Sequence, residues 1–211
     1  MNNYNSIAFY YNFLVRVVFG NAIDKAQEKY IAQLPNKGCL LIIGGGHGKI
    51  LKQINSQKPD LRIDYIDKSI KMLSAAQKIN QRGNTHFILG DENSIRDKTY
   101  DGIITFFFLD LFHNSKRNLI IKKLLSHLKN DGTWLVADFN LPRNWKQQII
   151  EKAMFRFLKA TTKIEANKID DYRLNLKKQS LKEIRTTYFY NAFIFSSIFR
   201  KKTSNCLNYL P

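Results

Sequence analysis

A glycine-rich pentapeptide, Gly44-Gly45-Gly46-His47-Gly48, sits where a buried-strand pattern gives way to helical spacing. Cys39-Leu40-Leu41-Ile42-Ile43 before it is a short apolar run suited to a central strand, and Lys49-Ile50-Leu51-Lys52-Gln53-Ile54 after it places apolar residues at helical intervals. Glycines at a strand-to-helix bend let the backbone approach a ligand closely, with the free amides of the helix N-terminus facing it. The spacing, G-x-G-x-G, excludes two common readings. A dinucleotide fingerprint begun at Gly44 needs glycine where Lys49 stands, and one begun at Gly45 meets His47. A P-loop needs Ser or Thr where Ile50 stands and Gly where Ile43 stands.

A second strand pattern, Leu61-Arg62-Ile63-Asp64-Tyr65-Ile66, ends in Asp67, 19 residues beyond Gly48. Helical spacing follows at Ile70, Met72, Leu73, Ala76 and Ile79. In doubly wound sheets an acid at this place accepts hydrogen bonds from a ribose, beside the glycine turn at the carboxyl edge. Alone, Asp67 reads as an ordinary helix N-cap; with the glycine turn it reads as a ligand's carboxylate.

Residues 38–139 resemble a class I S-adenosylmethionine-dependent methyltransferase of the small-molecule type, distantly like the quinone C-methyltransferases. Leu41 through Gly48 resembles the family's first motif, which wraps the methionine part of the cofactor, so the resemblance implies contacts from Gly44, Gly45, Gly46 and Gly48. Ile66-Asp67-Lys68-Ser69-Ile70-Lys71-Met72-Leu73 resembles the second, whose acid binds the ribose hydroxyls; it implies Asp67, Lys68 and Met72. His86-Phe87-Ile88-Leu89-Gly90-Asp91-Glu92 resembles the third, whose acid lies near the adenine amino group, and implies Asp91 and Glu92. Tyr100-Asp101-Gly102-Ile103-Ile104-Thr105 resembles the fourth strand, and Leu128-Lys129-Asn130-Asp131-Gly132-Thr133-Trp134-Leu135 the approach to the fifth. The family often carries an acid at the start of the first strand, where this chain has Gly38-Cys39. The implied fold is α/β and Rossmann-like: a seven-stranded, mostly parallel sheet with an antiparallel C-terminal hairpin and an N-terminal helical lid. The implied cofactor is S-adenosyl-L-methionine.

The coarse pattern agrees. Strand signals fall at 39–43, 61–66, 84–89, 101–108, 133–139, 181–189 and 192–199, the last two joined tightly around Tyr190-Asn191 as an antiparallel hairpin requires. Helical patterns fall at Ser6–Val18, Ala22–Leu34, Lys116–Leu128, Asn144–Ala160 and Asp170–Lys178. With 211 residues, one domain is expected: lid helices over 1–36, a cofactor-binding core over 37–140, and substrate-side helices with the hairpin over 141–211. Two distant cysteines, Cys39 and Cys206, and a start without a basic, apolar leader suit a cytoplasmic enzyme. Four scattered histidines give no metal-ligand spacing.

Methyl transfer from a sulfonium needs aligned donor and acceptor, and sometimes removal of a proton. The end of strand four, Thr105-Phe106-Phe107-Phe108-Leu109-Asp110-Leu111-Phe112-His113, is where such groups belong. Phe106 is expected to flank the cofactor and Phe107 the acceptor; Asp110 and His113, the ionisable pair in this stretch, are the candidate acid/base couple. Asp138 ends strand five near the same edge. The aromatic N-terminal segment resembles the lid of quinone-type enzymes, and Tyr4 and Tyr11, with Tyr10, are expected to meet a small-molecule acceptor. The segment after strand four has no proline-aromatic tetrapeptide for gripping an exocyclic base amine, and no acidic run for a polyamine.

The formal net charge of +17 invites a nucleic-acid reading, but 24 of 34 basic residues are Lys in an Asn- and Ile-rich composition. An RNA methyltransferase, an aminopropyltransferase-like enzyme and a non-catalytic cofactor-binding protein therefore rank behind a methyltransferase acting on oxygen or carbon of a lipophilic or aromatic acceptor. Residues 141–211 hold 15 Lys/Arg against 5 Asp/Glu. Within Asn144–Ala160 the pattern puts Trp145, Ile149, Ala153, Met154, Phe157 and Leu158 on one side, and Lys152, Arg156, Lys159 and Lys163 on another. A basic amphipathic helix of this kind suits peripheral contact with an anionic membrane.

Overall fold

The structure, a computed structural model, describes residues 18–80, 83–161 and 164–202. The expected helix Ser6–Val18 up to residue 17, with Tyr4, Tyr10 and Tyr11, lies outside the described residues, as does Cys206. Seven strands form one sheet: β1 (Lys37–Ile43), β2 (Asp60–Asp67), β3 (Thr85–Leu89), β4 (Tyr100–Phe106), β5 (Leu128–Phe139), β6 (Leu181–Phe189) and β7 (Ile194–Lys201). Their order is β3-β2-β1-β4-β5-β7-β6. The pairings among β1 to β5 are parallel, and β7 runs antiparallel to both β5 and β6. This is the expected seven-stranded Rossmann-like sheet with its C-terminal hairpin.

Strand alternation divides the core into two layers. Leu40, Ile42, Ile104, Leu135 and Ala137 face one side, covered by α1 (Ala22–Glu28), α2 (Lys49–Gln57) and α3 (Ile70–Ile79). Leu41, Ile43, Ile103, Trp134 and Val136 face the other, covered by α4 (Asn114–His127) and α6 (Arg173–Lys178). The remaining helix, α5 (Trp145–Thr161), adds Met154 and Phe155 to the first layer.

Three expectations are corrected. β4 stops at Phe106, not 108, because Phe107 enters the left-handed region (φ 51°), which breaks strand pairing. The helix expected over Ala22–Leu34 ends at Glu28, and a separate 3-10 turn spans Ile31–Gln33. On α5 the buried residues are Gln147, Met154 and Phe155, whereas Trp145 and Ile149 are exposed on the same stripe as Lys152 and Arg156. The expected separation of apolar and basic sides fails because the helix meets the sheet through a narrow strip.

Candidate active site

Parallel pairing of β1 with β2 aligns Ile43 with Ile66, so the turn after β1 and Asp67 arrive together at the carboxyl edge. Gly44 N–H donates to Ile66 O at 2.9 Å. Gly46 N–H donates to Asp67 Oδ2 at 2.9 Å, and Ser69 N–H to Oδ1 at 2.8 Å. Tyr65, its hydroxyl pushed up in pKa by burial, donates to Gly46 O at 2.9 Å. Ser69, not Asp67, is the N-cap of α3: its Oγ accepts from Met72 N–H. A carboxylate offers about four lone-pair sites; these two bonds leave Asp67 with acceptor capacity on both oxygens.

The glycines are not equivalent. A Cβ on Gly44 would lie 2.4 Å from the Phe108 ring, one on Gly45 2.2 Å from Tyr65, and one on Gly48 2.5 Å from Ala76. Only Gly46, at φ 62°, would meet nothing within 4 Å. The turn is thus closed on three sides by packing and open at Gly46, beside the Asp67 carboxylate. Gly45→Ala must displace the fully buried Tyr65 ring and is expected to cost about 1–3 kcal/mol. Gly46→Ala is expected to cost only its backbone strain, about 1–2 kcal/mol. Urea unfolding of the two variants checks the order.

Asp91 follows β3, whose pairing sets Leu89 opposite Asp67, and its Oδ1 accepts from Asn93 N–H at 2.9 Å. Glu92 lines a cleft with Ser115, Leu119 and Lys123 against α4. Lys68 is exposed and Met72 half-buried. Phe106 is 7% exposed, its ring in the layer with Leu40 and Ile42.

Beyond β4 the edge becomes aromatic. Phe107 is half-buried, with its N–H bonded to Ala137 O at 2.7 Å. Its ring meets Phe139 edge-on at 5.1 Å between centroids; Phe139 in turn packs on Phe193 at 5.5 Å and Phe19 at 5.3 Å. Tyr190 reaches Phe19 at 5.0 Å from the β6–β7 turn. That turn takes three consecutive left-handed residues, Tyr190, Asn191 and Ala192, pinned by Gln147 Nε2 to Asn191 O and Asn140 Nδ2 to Ala192 O. Strained backbone at Phe107 and in this turn brackets the aromatic wall, a distribution common around ligand sites.

The expected Asp110–His113 couple does not form. Among the described residues no hydrogen bond or ion pair joins them: His113 is exposed at the N-cap of α4, and Asp110 is 3% exposed beneath the helical layer. Asp110 instead pairs with Asp138. Burial, then the Asp138 charge and a hydrogen bond to it, push the Asp110 carboxyl well above its ordinary range. Burial also raises Asp138, to about 6, against the opposing pull of the Tyr172 hydroxyl and Asp110. Asp138 accepts from Tyr172 Oη at 2.6 Å, Phe139 N–H at 3.0 Å and Asp110 N–H at 3.3 Å. Asp110 Oδ1 receives no hydrogen bond from the described residues, as suits a protonated acid. Arg117, 1% exposed, stacks 5.0 Å from the Tyr172 ring and donates to Phe112 O and Asp170. The pair thus sits away from solvent as a brace between the ends of β4 and β5 and the segment before α6.

Residues 41–134 match the protein-family model described as a methyltransferase domain. The matched segment runs from within β1, through the glycine turn and Asp67, to within β5. A demethylmenaquinone methyltransferase of Thermotoga maritima is 28% identical over 153 residues, covering 70% of this chain and 64% of that protein. An O-methyltransferase family 2 protein from Planctomyces limnophilus, solved with apigenin, superposes with TM-score 0.67 at 18% identity, over 90% of this chain and 61% of that one. The N-methyltransferase NodS of Bradyrhizobium japonicum, solved with S-adenosyl-L-homocysteine, gives TM-score 0.63 at 13% identity, over 86% of this chain and 89% of that one. The chain therefore spans less than two thirds of the length of the Thermotoga relative.

Residues around this site that sequence reasoning missed are Phe139, Tyr190 and Tyr172. Phe139 and Tyr190 carried a signal, since Phe139 ends β5 and Tyr190 follows the end of β6 at the same edge as Phe107. Tyr172 carried none: its partner Asp138 is 34 positions away.

Proposed function

We propose that this chain transfers the methyl group of S-adenosylmethionine to oxygen or carbon of a small aromatic acceptor. The observation that carries the reading is the open side of Gly46 beside an Asp67 carboxylate with unused acceptor capacity. That cradle fits a ribosyl sulfonium: Asp67 would hold the ribose hydroxyls, the Gly44–Gly48 turn the methionine part, and Asp91 the adenine side. When bound, the cofactor supplies an electrophilic methyl group on a sulfonium. The chain's own residues then bind and orient. Phe107, with Phe139 behind it, offers an acceptor ring an aromatic wall, and the apolar surroundings exclude water from the transfer. The demethylmenaquinone named for the Thermotoga relative is an acceptor of this kind. Asp110 has a positioning role in this account, through Asp138, and Asp138 through the backbone of Phe139.

The test is turnover of a reduced, short-chain demethylmenaquinone with radiolabelled cofactor. Phe107→Ala is expected to raise the acceptor KM about tenfold, the worth of a good aromatic contact, while leaving S-adenosylhomocysteine affinity unchanged. An unaltered KM removes Phe107 from the acceptor site; equal loss of cofactor affinity makes its role structural.

A further inference from the structure

The outward face of α5 combines the chain's exposed tryptophan with a concentration of positive charge. Trp145 is 65% exposed, Ile149 57% and Leu141, in the lead-in, 44%. Trp145, Ile149, Lys152 and Arg156 follow one another at intervals of three and four, so they share a stripe. Arg143, Lys146 and Lys159 are exposed around it. The one acidic residue between positions 141 and 161 is Glu151, and it is half-buried with its carboxylate accepting from Ile169 N–H at 2.7 Å. The inner side of the helix is already committed, Met154 and Phe155 to the core and Gln147 to the β6–β7 turn. Among the described residues, core packing does not account for the outward apolar residues.

We propose that α5 and its lead-in form a docking face for an anionic lipid bilayer, with Leu141, Trp145 and Ile149 entering the headgroup zone and the surrounding Lys and Arg side chains pairing with lipid phosphates. Interfacial helices carry this combination, Trp and aliphatic residues amid basic ones. Charge complementarity selects the partner. A second copy would set two strongly basic faces against each other, and a phosphodiester strand would leave Leu141 and Ile149 without apolar contact. Among the described residues no helix is long and apolar enough to cross a membrane, so the contact is peripheral. The docking itself is independent of methyl transfer. If the acceptor is lipophilic, as under the proposed function, the bilayer lies behind the helix that backs the Phe139–Phe193 wall.

The full chain is mixed with phosphatidylcholine vesicles containing or lacking phosphatidylglycerol, and binding is followed by co-sedimentation and by quenching from acyl-brominated lipid. The chain has two tryptophans, and Trp134 is fully buried, so quenching reports Trp145. We expect quenched binding to the anionic vesicles alone. Lys152→Glu/Arg156→Glu should weaken it about a hundredfold, given the worth of each basic side chain at such a surface, and Trp145→Ser/Ile149→Ser about tenfold, both with wild-type circular dichroism. Equal binding to neutral vesicles, or unaltered binding in the two variants, overturns the proposal. So does binding of polyuridylate RNA, or dimerisation, through this face without vesicle binding. Vesicle binding by a chain that ignores S-adenosylhomocysteine would sustain the docking face and sink the methyltransferase reading.

Discussion

Asp138→Ala is expected to lower unfolding stability by roughly 4 kcal/mol, whereas Asp110→Asn should change it by less than about 1 kcal/mol at neutral pH. The asymmetry follows from which carboxyl holds the proton. Asp138 is the acceptor for Tyr172 Oη and for two backbone N–H groups, and removing it leaves three buried donors unpaired. Asp110 is held as a neutral acid, so an Asn amide reproduces its donor without adding a charge. Urea unfolding followed by tryptophan fluorescence checks both, since Trp134 lies in the same layer of the core. A mild Asp138→Ala would mean that the brace contributes little.

The same pair fixes a pH dependence. Both folded carboxyls titrate above their ordinary range, Asp138 at about 6 and Asp110 higher than its usual value. Above about pH 4 the unfolded chain has released both protons while the folded chain retains at least one, so the pair's contribution to stability falls as pH rises through about 6 and beyond. Asp64, Asp101 and Glu183 act oppositely. Burial would raise each, but lysine and hydrogen-bond partners hold them below ordinary values, and their contribution is lost as pH falls through those lowered values. Because both chains share these three, the difference between Asp110→Asn and wild type isolates the pair. The variant should gain on wild type as pH rises above the ordinary carboxylate range, through about 6 and beyond; a gap that is flat with pH contradicts the neutral acid.

Asp67→Ala carries the largest expected effect on ligand binding, a roughly hundredfold loss of S-adenosylhomocysteine affinity, the worth of charged hydrogen bonds to two ribose hydroxyls. Its carboxylate also orders the turn through Gly46 N–H and Ser69 N–H, so some loss of stability accompanies it. Ser69→Ala separates the two effects. It removes only the cap on α3, which should cost about 1 kcal/mol of stability and leave cofactor affinity nearly intact. Calorimetry on both variants reads the contrast, and a matching loss of affinity in Ser69→Ala would make Asp67 a structural residue.

The parts of this fold legible in the sequence are those set by local pattern. Strand runs, the Gly44–Gly48 bend and the tight reversal at Tyr190-Asn191 each need a particular residue type within a few positions, so spacing alone reveals them. The misread parts depend on distant neighbours. Asp110 reads from its apolar stretch as half of a couple with His113, but its place beside Asp138 on β5, itself bonded by Tyr172, depends on residues far along the chain. Phe107 gave no sign of its left-handed backbone, because a bulky residue takes that conformation only when packing imposes it, here the Ala137 carbonyl and the Phe139 ring. The outward turn of Trp145 was equally hidden, since helical periodicity fixes which residues share a face but not which face meets the sheet.

Titration of S-adenosylhomocysteine into the purified full chain tests the central claim most directly. Saturable heat at one site per chain, in the micromolar range and greatly weakened in Asp67→Ala, is the predicted result. A chain that gives no heat and no thermal shift with millimolar S-adenosylhomocysteine or S-adenosylmethionine would contradict it.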